Sequence, residues 1–467
     1  MVSLFRRRAY LFILLSAFLF LFPLNTYAAG NNPKIDTGDT TWILIATALV
    51  FFMHVPGLAL FYGGLVSDRN VVSTMMHSFV SLLIVSVVWV LWGYSLSYGT
   101  DIGGFIGGLN YLGFNNVGEE AALGTLTIPH YLFAMLQIAY AAITVAIISG
   151  GIAGRISFSA WVLFTVLWPT LVYAPMAHWV WGGGWLFKMG ELDFAGGTVV
   201  HILSGVSALV AALMIGPREK SLSHTHRPHN IVLFLFGAAA LWFGWFGFNG
   251  GSALASGGIT SLAFATTHVA GATAGIGWLI IEWVIRKRPT LIGTATGAIA
   301  GLVAITPGAG YVTIPSALII GLLASPVCYF SINFLKHRLK YDDTLDAFGV
   351  HGMAGIWGAI ATGIFAKKSI NPAGNDGLLY GNPQQLLHQF IGVSTAIVLA
   401  IVGTFVVLKI ISLFVSLRVS KEDELLGLDL SLHEEPAYTN ISMQPQKEKI
   451  DTTTSNQDVP MNSFINS

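Results

Sequence analysis

The sequence predicts an all-α polytopic membrane protein of about eleven transmembrane helices, and three observations carry that prediction. Hydrophobic residues make up 54% of the 467 positions and charged residues 10%, whereas charged residues alone usually form about a quarter of a soluble domain. Apolar segments long enough to cross a bilayer recur from Thr40 to residue 416. The 52 glycines fall inside apolar runs such as GATAGIGWLI, as they do where helices pack closely through small residues. Zero net charge argues against a nucleic-acid surface, and the single cysteine, Cys328, excludes an intrachain disulfide and a multi-Cys metal site.

Residues 1–29 combine Arg6, Arg7 and Arg8, the apolar run LFILLSAFLFLFPL and small residues at Ala28 and Ala29. This reads as a cleavable signal peptide that leaves the mature N-terminus outside; an uncleaved extra span is the alternative. A short outer segment, 30–39, precedes a transmembrane domain over 40–418. Its spans lie near 40–64, 71–98, 128–151, 158–175, 195–215, 230–248, 260–285, 291–306, 312–335, 346–366 and 386–416. An odd number with the N-terminus outside puts the C-terminus inside. The basic residues agree: Arg69, Arg155, Arg218, Lys220, Arg227, Arg286, Lys287, Arg288, Lys336, Arg338, Lys340 and Arg418 fall on the predicted inner side. The chain then turns polar, forming a cytoplasmic tail over 419–467 whose last part, 441–467, has the composition of a disordered segment.

The spans are organised around the stretch from Met176 to Gly205, where Trp179, Trp181 and Trp185 precede Asp193 and His201 follows in an apolar helix. Eight residues at about 1.5 Å each place His201 roughly 12 Å below the helix start. A second segment, DAFGVHGMAG from Asp346, repeats acid, small residues and His351. The first enters from outside and the second from inside, the pattern of a five-plus-five inverted repeat with both imidazoles near the bilayer midplane.

Phosphate-binding glycine loops, nucleophile elbows and haem-attachment motifs are absent, which points away from an enzyme. No cofactor or metal is expected. Phe248 and Ser252 share a helix face at i and i+4, and Trp181 lies at the same membrane surface. An aromatic face with one hydroxyl suits a small cation such as ammonium; the alternative is an interfacial aromatic belt. His54, His77, His268 and His388 also lie in or near spans, so a histidine in a span is weak evidence, and bonding across helices is the plain alternative for His201 and His351. Asp193 reads as an N-cap ahead of a direct cation ligand. Outer loops around Asp101, Glu119, Glu120 and Glu191 read either as cation-attracting or as ordinary solvated loops.

The segments PGLALFYGGLV, AHWVWGGG, DFAGGTVVH, GWFGFNGGSA, GAIAGLVAITPGAGYV and DAFGVHGMAG resemble those of the ammonium transporter family, Amt/Mep with the Rh proteins as distant relatives. The resemblance implies a homotrimer in the cytoplasmic membrane, each protomer with its own hydrophobic pore for ammonium or ammonia. It implies that Trp181 and Ser252 form the outer recruitment site, Phe248 the inner gate ring and His201 with His351 the pore pair, while Asp193 supports the recruitment site. Tyr140 stands at the place of the outer gate ring, where the family pattern has Phe, and its hydroxyl either wets the gate or binds the ion; Gly154 stands where an acid is usual, so an inner-loop ion pair is expected to be missing. The tail RVSKEDELLGLDLSLHEEPAY is similar to one that receives a PII-type regulator. Rival readings are an ammonium sensor, a bis-His haem protein using His201 and His351, and an Rh-type gas channel.

Overall fold

A computed structural model describes residues 33–219 and 228–438. The signal-peptide reading of 1–29 and the disorder expected over 441–467 fall outside the described residues. Among the latter, ten helices are long and apolar enough to cross a membrane: α1 Thr37–Leu65, α2 Val71–Tyr98, α3 His130–Ile152, α4 Phe158–Met189, α5 Gly197–Ile215, α6 Ile231–Gly251, α7 Gly258–Arg286, α9 Ile314–Leu339, α10 Phe348–Phe365 and α11 Pro383–Ser412. The segment expected to be an eleventh full span forms a shorter helix, α8 Leu291–Ile305. Its 15 residues reach about 22 Å, less than the roughly 30 Å of hydrocarbon.

Helix starts follow their sequence signals. Asp36 accepts from the Asp39 N–H at the head of α1, and Asn230 from Leu233 at the head of α6. Thr290 and Thr313 do the same for α8 and α9. Each supplies an acceptor to an N–H that has no partner within the helix. The only strands described are two-residue β1 Asp101–Ile102 and β2 Ile106–Gly107, an antiparallel pair in the loop between α2 and α3.

The interior is filled by bulky rings, with Trp89, Trp161, Trp168 and Trp245 fully buried. The outside of the bundle carries exposed Phe236, Trp283, Ile285 and Val402. Apolar residues facing outward suit helices solvated by lipid.

At the Arg155 end the expectation of a missing ion pair is overturned. Arg155, wholly buried, pairs with Asp342 at 2.9 Å, and Arg218 joins the same carboxylate at 2.6 Å. Gly154 needs no acid beside it because the partner comes from the loop before α10. Burial pushes the Asp342 carboxyl up, but hydrogen bonds from Arg218 and the charge of Arg155 hold it well below the usual range.

The first part of the tail folds onto this end as two short helices, α12 Lys421–Leu426 and α13 Leu428–His433. Asp429 accepts from the N–H groups of Val71 and Ser73 at 2.9 and 2.8 Å, capping α2 from a distance in sequence. Glu424 accepts from Arg418 at 2.7 Å and from the Glu219 N–H at 2.7 Å. The acids of the tail thus serve as helix caps and ion-pair partners.

Candidate functional site

The loop ahead of α5 sets the site. Asp193 accepts four backbone N–H groups: Gly196 and Gly197 on Oδ1 at 2.8 and 2.6 Å, Thr198 and Val199 on Oδ2 at 2.8 and 3.0 Å. These are the donors that a helix start leaves unpaired. The capping role expected for Asp193 is therefore its geometry here. The Asp193 carbonyl also accepts from Trp181 Nε1 at 2.8 Å, which ties the indole to the head of α5. The next residues form a π-helical turn, Gly197–Ile202, that carries His201. A matching turn, Phe348–Gly352, carries His351 at the head of α10. Such turns leave the ordinary bond ladder and are frequent at functional positions.

The acid that matches Asp193 in α10 is Asp343, not Asp346. Asp343 accepts from the N–H groups of Ala347 and Phe348 at 3.1 and 2.8 Å, and it precedes His351 by the same eight positions that separate Asp193 from His201. Asp346 instead pairs with Lys336 at 2.6 Å. The two helices cross with no clearance, since a Cβ at Gly205 would run into the backbone N of Gly352. That contact brings the two imidazoles together.

From the Trp181 end inward, the rings form an unbroken file. The Tyr140 ring lies 6.2 Å from Trp181 and 4.8 Å from Phe248, the latter at 71°. Edge-to-face pairing at this distance is favourable. The Tyr140 hydroxyl donates to the Phe248 carbonyl at 3.0 Å and lies 2.9 Å from Ser252 Oγ, which itself donates to that carbonyl at 2.9 Å. Phe248 lies 5.9 Å from His201, which stacks 5.2 Å from His351. His351 lines a cavity of about 190 Å³ with Phe61, Tyr62, Ile299, Asp346 and Val350. All seven residues predicted for the site, Trp181, Ser252, Tyr140, Phe248, His201, His351 and Asp193, fall along this file or brace it.

The two Nδ1 atoms lie 3.2 Å apart. One must donate and the other accept, so the pair holds one shared proton and its two Nε2 atoms have opposite roles. His201 Nε2 is buried with no hydrogen-bond partner among the described residues. This spacing fits a shared proton.

Trp245 was not anticipated from the sequence. It is buried, stacks 5.4 Å from His201 and is fixed by a bond from Nε1 to Thr306 Oγ1 at 3.0 Å. Its position three residues before Phe248, on the same helix face, was the available signal. The other span histidines lie elsewhere. His54 bonds to the Ser78 carbonyl at 2.8 Å, His77 stacks on Phe158 and His268 lies beside Trp242. Asp101 is paired with His178 at 3.0 Å and with Lys188. Glu191, read as a loop acid, is buried.

Comparison with known proteins gives a consistent match. A profile described as the Ammonium Transporter Family matches residues 41–438. An ammonium transporter of Bacillus subtilis is 51% identical over 404 residues, covering 86% of this chain and 99% of its own. Ammonium transporter Amt1 of Archaeoglobus fulgidus is 48% identical over 406 residues, covering 87% and 100%. The crystal structure of Saccharomyces cerevisiae Mep2 superposes with a TM-score of 0.78 at 33% identity, covering 86% of this chain and 94% of that one.

Proposed function

The chain belongs to the ammonium transporter family, and from that premise we propose that it carries ammonium across the cytoplasmic membrane by sorting the ion at the Trp181 end and passing ammonia along the imidazole pair. The observation that carries this reading is the file of rings from Trp181 through Tyr140, Phe248 and His201 to His351 and its cavity.

Ammonium meets the Trp181 and Tyr140 faces, whose quadrupoles attract a cation. Two hydroxyls there, on Tyr140 and Ser252, share the Phe248 carbonyl. Their own two protons cannot use every oxygen lone pair, so acceptors remain for the N–H groups of ammonium. Potassium has no N–H to direct at them, which gives discrimination that size does not. Beyond Phe248 the passage is buried and apolar, and an unpaired ion there is costly while neutral ammonia is not. Past the ring pair, ammonium gives its proton to His201 Nε2 as the acceptor; the Nδ1 proton of His201 crosses to His351 Nδ1, and the Nε2 proton of His351 is released toward the cavity it lines. Ammonia then passes the Nε2 atoms, one donor and one acceptor, and the proton shared between His201 and His351 makes that pair its relay.

The matched eight-residue spacing of Asp193–His201 and Asp343–His351 supports a five-plus-five inverted repeat. The basic residues at the Arg155 end support an N-terminus outside and a C-terminus inside. Family membership supports a homotrimer, and the folded tail at the Arg155 end supports a PII-type regulator docking on that side. The test is uptake in proteoliposomes. Replacing Trp181 by Leu and Ser252 by Ala weakens competition by methylammonium, and an unchanged inhibition constant rejects the recruitment site.

A further inference from the structure

Glu191 lies two positions before Asp193, outside the spans, yet it is 5% exposed. The mechanism above makes no use of it. Gln389 of α11 grips the adjoining residue from both sides, accepting from the Leu192 N–H and donating to its carbonyl, each at 2.8 Å. The carboxyl lies against Gly392 of α11, where a Cβ would come within 2.7 Å of Glu191 Cγ. Glycine at 392 makes the space that the side chain fills.

Two acids thus share one buried corner with unequal support. Asp193 receives four backbone N–H groups. Glu191 Oε1 receives one hydroxyl, from Thr198 at 2.8 Å, and Oε2 has no hydrogen-bond partner among the described residues. Among them, no lysine or arginine bonds to either carboxyl. The negative charge settles on Asp193 and the proton on Glu191, because an anion with one donor in a buried site is poorly stabilised. Burial, and then the charge of Asp193, push the Glu191 carboxyl up to about 8. The other titratable groups facing this corner are Tyr173 of α4, Tyr311, from the turn after α8, and His388 of α11, whose Nδ1 would lie 3.5 Å from a Cβ at Gly190.

The corner is joined to the cation site by two short links. Thr198 bonds to Glu191 through its hydroxyl and to Asp193 through its N–H, and the Asp193 carbonyl holds the Trp181 indole. We propose that Glu191 sets the affinity of the recruitment site: neutral, it leaves one buried negative charge behind the Trp181 ring, and ionised, it doubles that charge and strengthens cation capture. This rests on the reading of the Trp181 end as an ammonium site. Capture is therefore strongest in alkaline medium and falls as the medium acidifies. By linkage, a bound cation favours loss of the Glu191 proton.

The test uses the full chain in proteoliposomes and uptake of labelled methylammonium, which stays ionised across the range used. In the wild type the half-saturating concentration falls about six- to seventeenfold between external pH 6.5 and 9, the effect of a unit charge over roughly 10–15 Å at an effective dielectric near 20. Glu191→Gln, which keeps the shape of the neutral acid, holds the acidic value throughout. A Glu191→Gln profile that still follows the wild type overturns the inference, as does a wild-type value that does not change with pH. Should Glu191→Gln fail to assemble, Thr198→Val decides: loss of the one donor moves the midpoint upward, and an unmoved midpoint counts against the role. Absence of uptake in the wild type at every pH removes the transport reading itself, a result distinct from uptake that is present but insensitive to pH.

Discussion

The hydroxyl of Tyr140 lies 2.9 Å from Oγ of Ser252, and both oxygens converge on the Phe248 carbonyl, at 3.0 and 2.9 Å. The Tyr140 ring is thereby bonded to the backbone of the helix that carries Phe248. A phenylalanine at this place would pack equally well edge to face but would carry neither bond. Tyrosine in place of phenylalanine thus keeps the ring arrangement and adds an oxygen to the proposed cation site.

Tyr140→Phe is expected to weaken methylammonium competition about two- to tenfold, the scale of one hydrogen bond at ~0.5–1.5 kcal/mol. Ser252→Ala has a similar effect. The double variant loses less than the sum, because the hydroxyls share a partner. Inhibition constants from uptake assays test this, and strict additivity would mean that the two oxygens act separately.

His201→Ala and His351→Ala each remove one half of the 3.2 Å Nδ1 pair. Uptake is expected to fall roughly tenfold or more, corresponding to about 1.4 kcal/mol or more at the barrier, while size-exclusion elution stays that of the wild type. His77→Ala, away from the ring file, retains transport. Wild-type rates in both imidazole variants would count against the pore assignment.

The two caps predict a stability contrast. Asp343→Ala removes the acceptor for two N–H groups at the head of α10 and is expected to cost roughly 1–3 kcal/mol. Asp346→Ala removes a partly exposed ion pair and should change stability by about 1 kcal/mol or less. Thermal unfolding in detergent distinguishes them, and equal shifts would reject the assignment of Asp343 as the counterpart of Asp193.

Acid should loosen the Arg155 end. The folded Asp342 carboxyl is held below its unfolded value of about 3.9. Its stabilising contribution is present above pH ~4 and lost as pH falls through the folded value. Asp342→Asn should cost roughly 3 kcal/mol at neutral pH by leaving the buried Arg155 unpaired. The gap from the wild type narrows with acidification below pH ~4. A constant gap in unfolding temperature down to pH 3 would contradict this.

The site was legible where chemistry and spacing coincide. Buried imidazoles, an acid eight positions before one of them and an i, i+4 ring and hydroxyl could all be found from the sequence. The acid for His351 was misplaced because two aspartates compete there and the nearer, Asp346, is drawn off by Lys336 from α9. That contact is invisible in a linear reading. Glu191 looked like a solvated loop residue because nothing in GELDF announces that Gln389 and Gly392 close over it. Segment 291–306 read as a span because apolar composition does not reveal where a helix stops short. The acidic tail read as an extension because its role as a cap for α2 depends on pairing across the whole chain.

The Gly205–Gly352 crossing bears on how fast the passage can work. Backbones already in touch offer no hinge, so α5 and α10 cannot rock apart without unpacking the bundle where they cross. Opening is then left to rotations of individual rings, which belong to a faster regime than the microsecond-to-millisecond displacement of whole domains. On the proposed mechanism, throughput is then expected to be paced by the arrival and discharge of the ion at the rim.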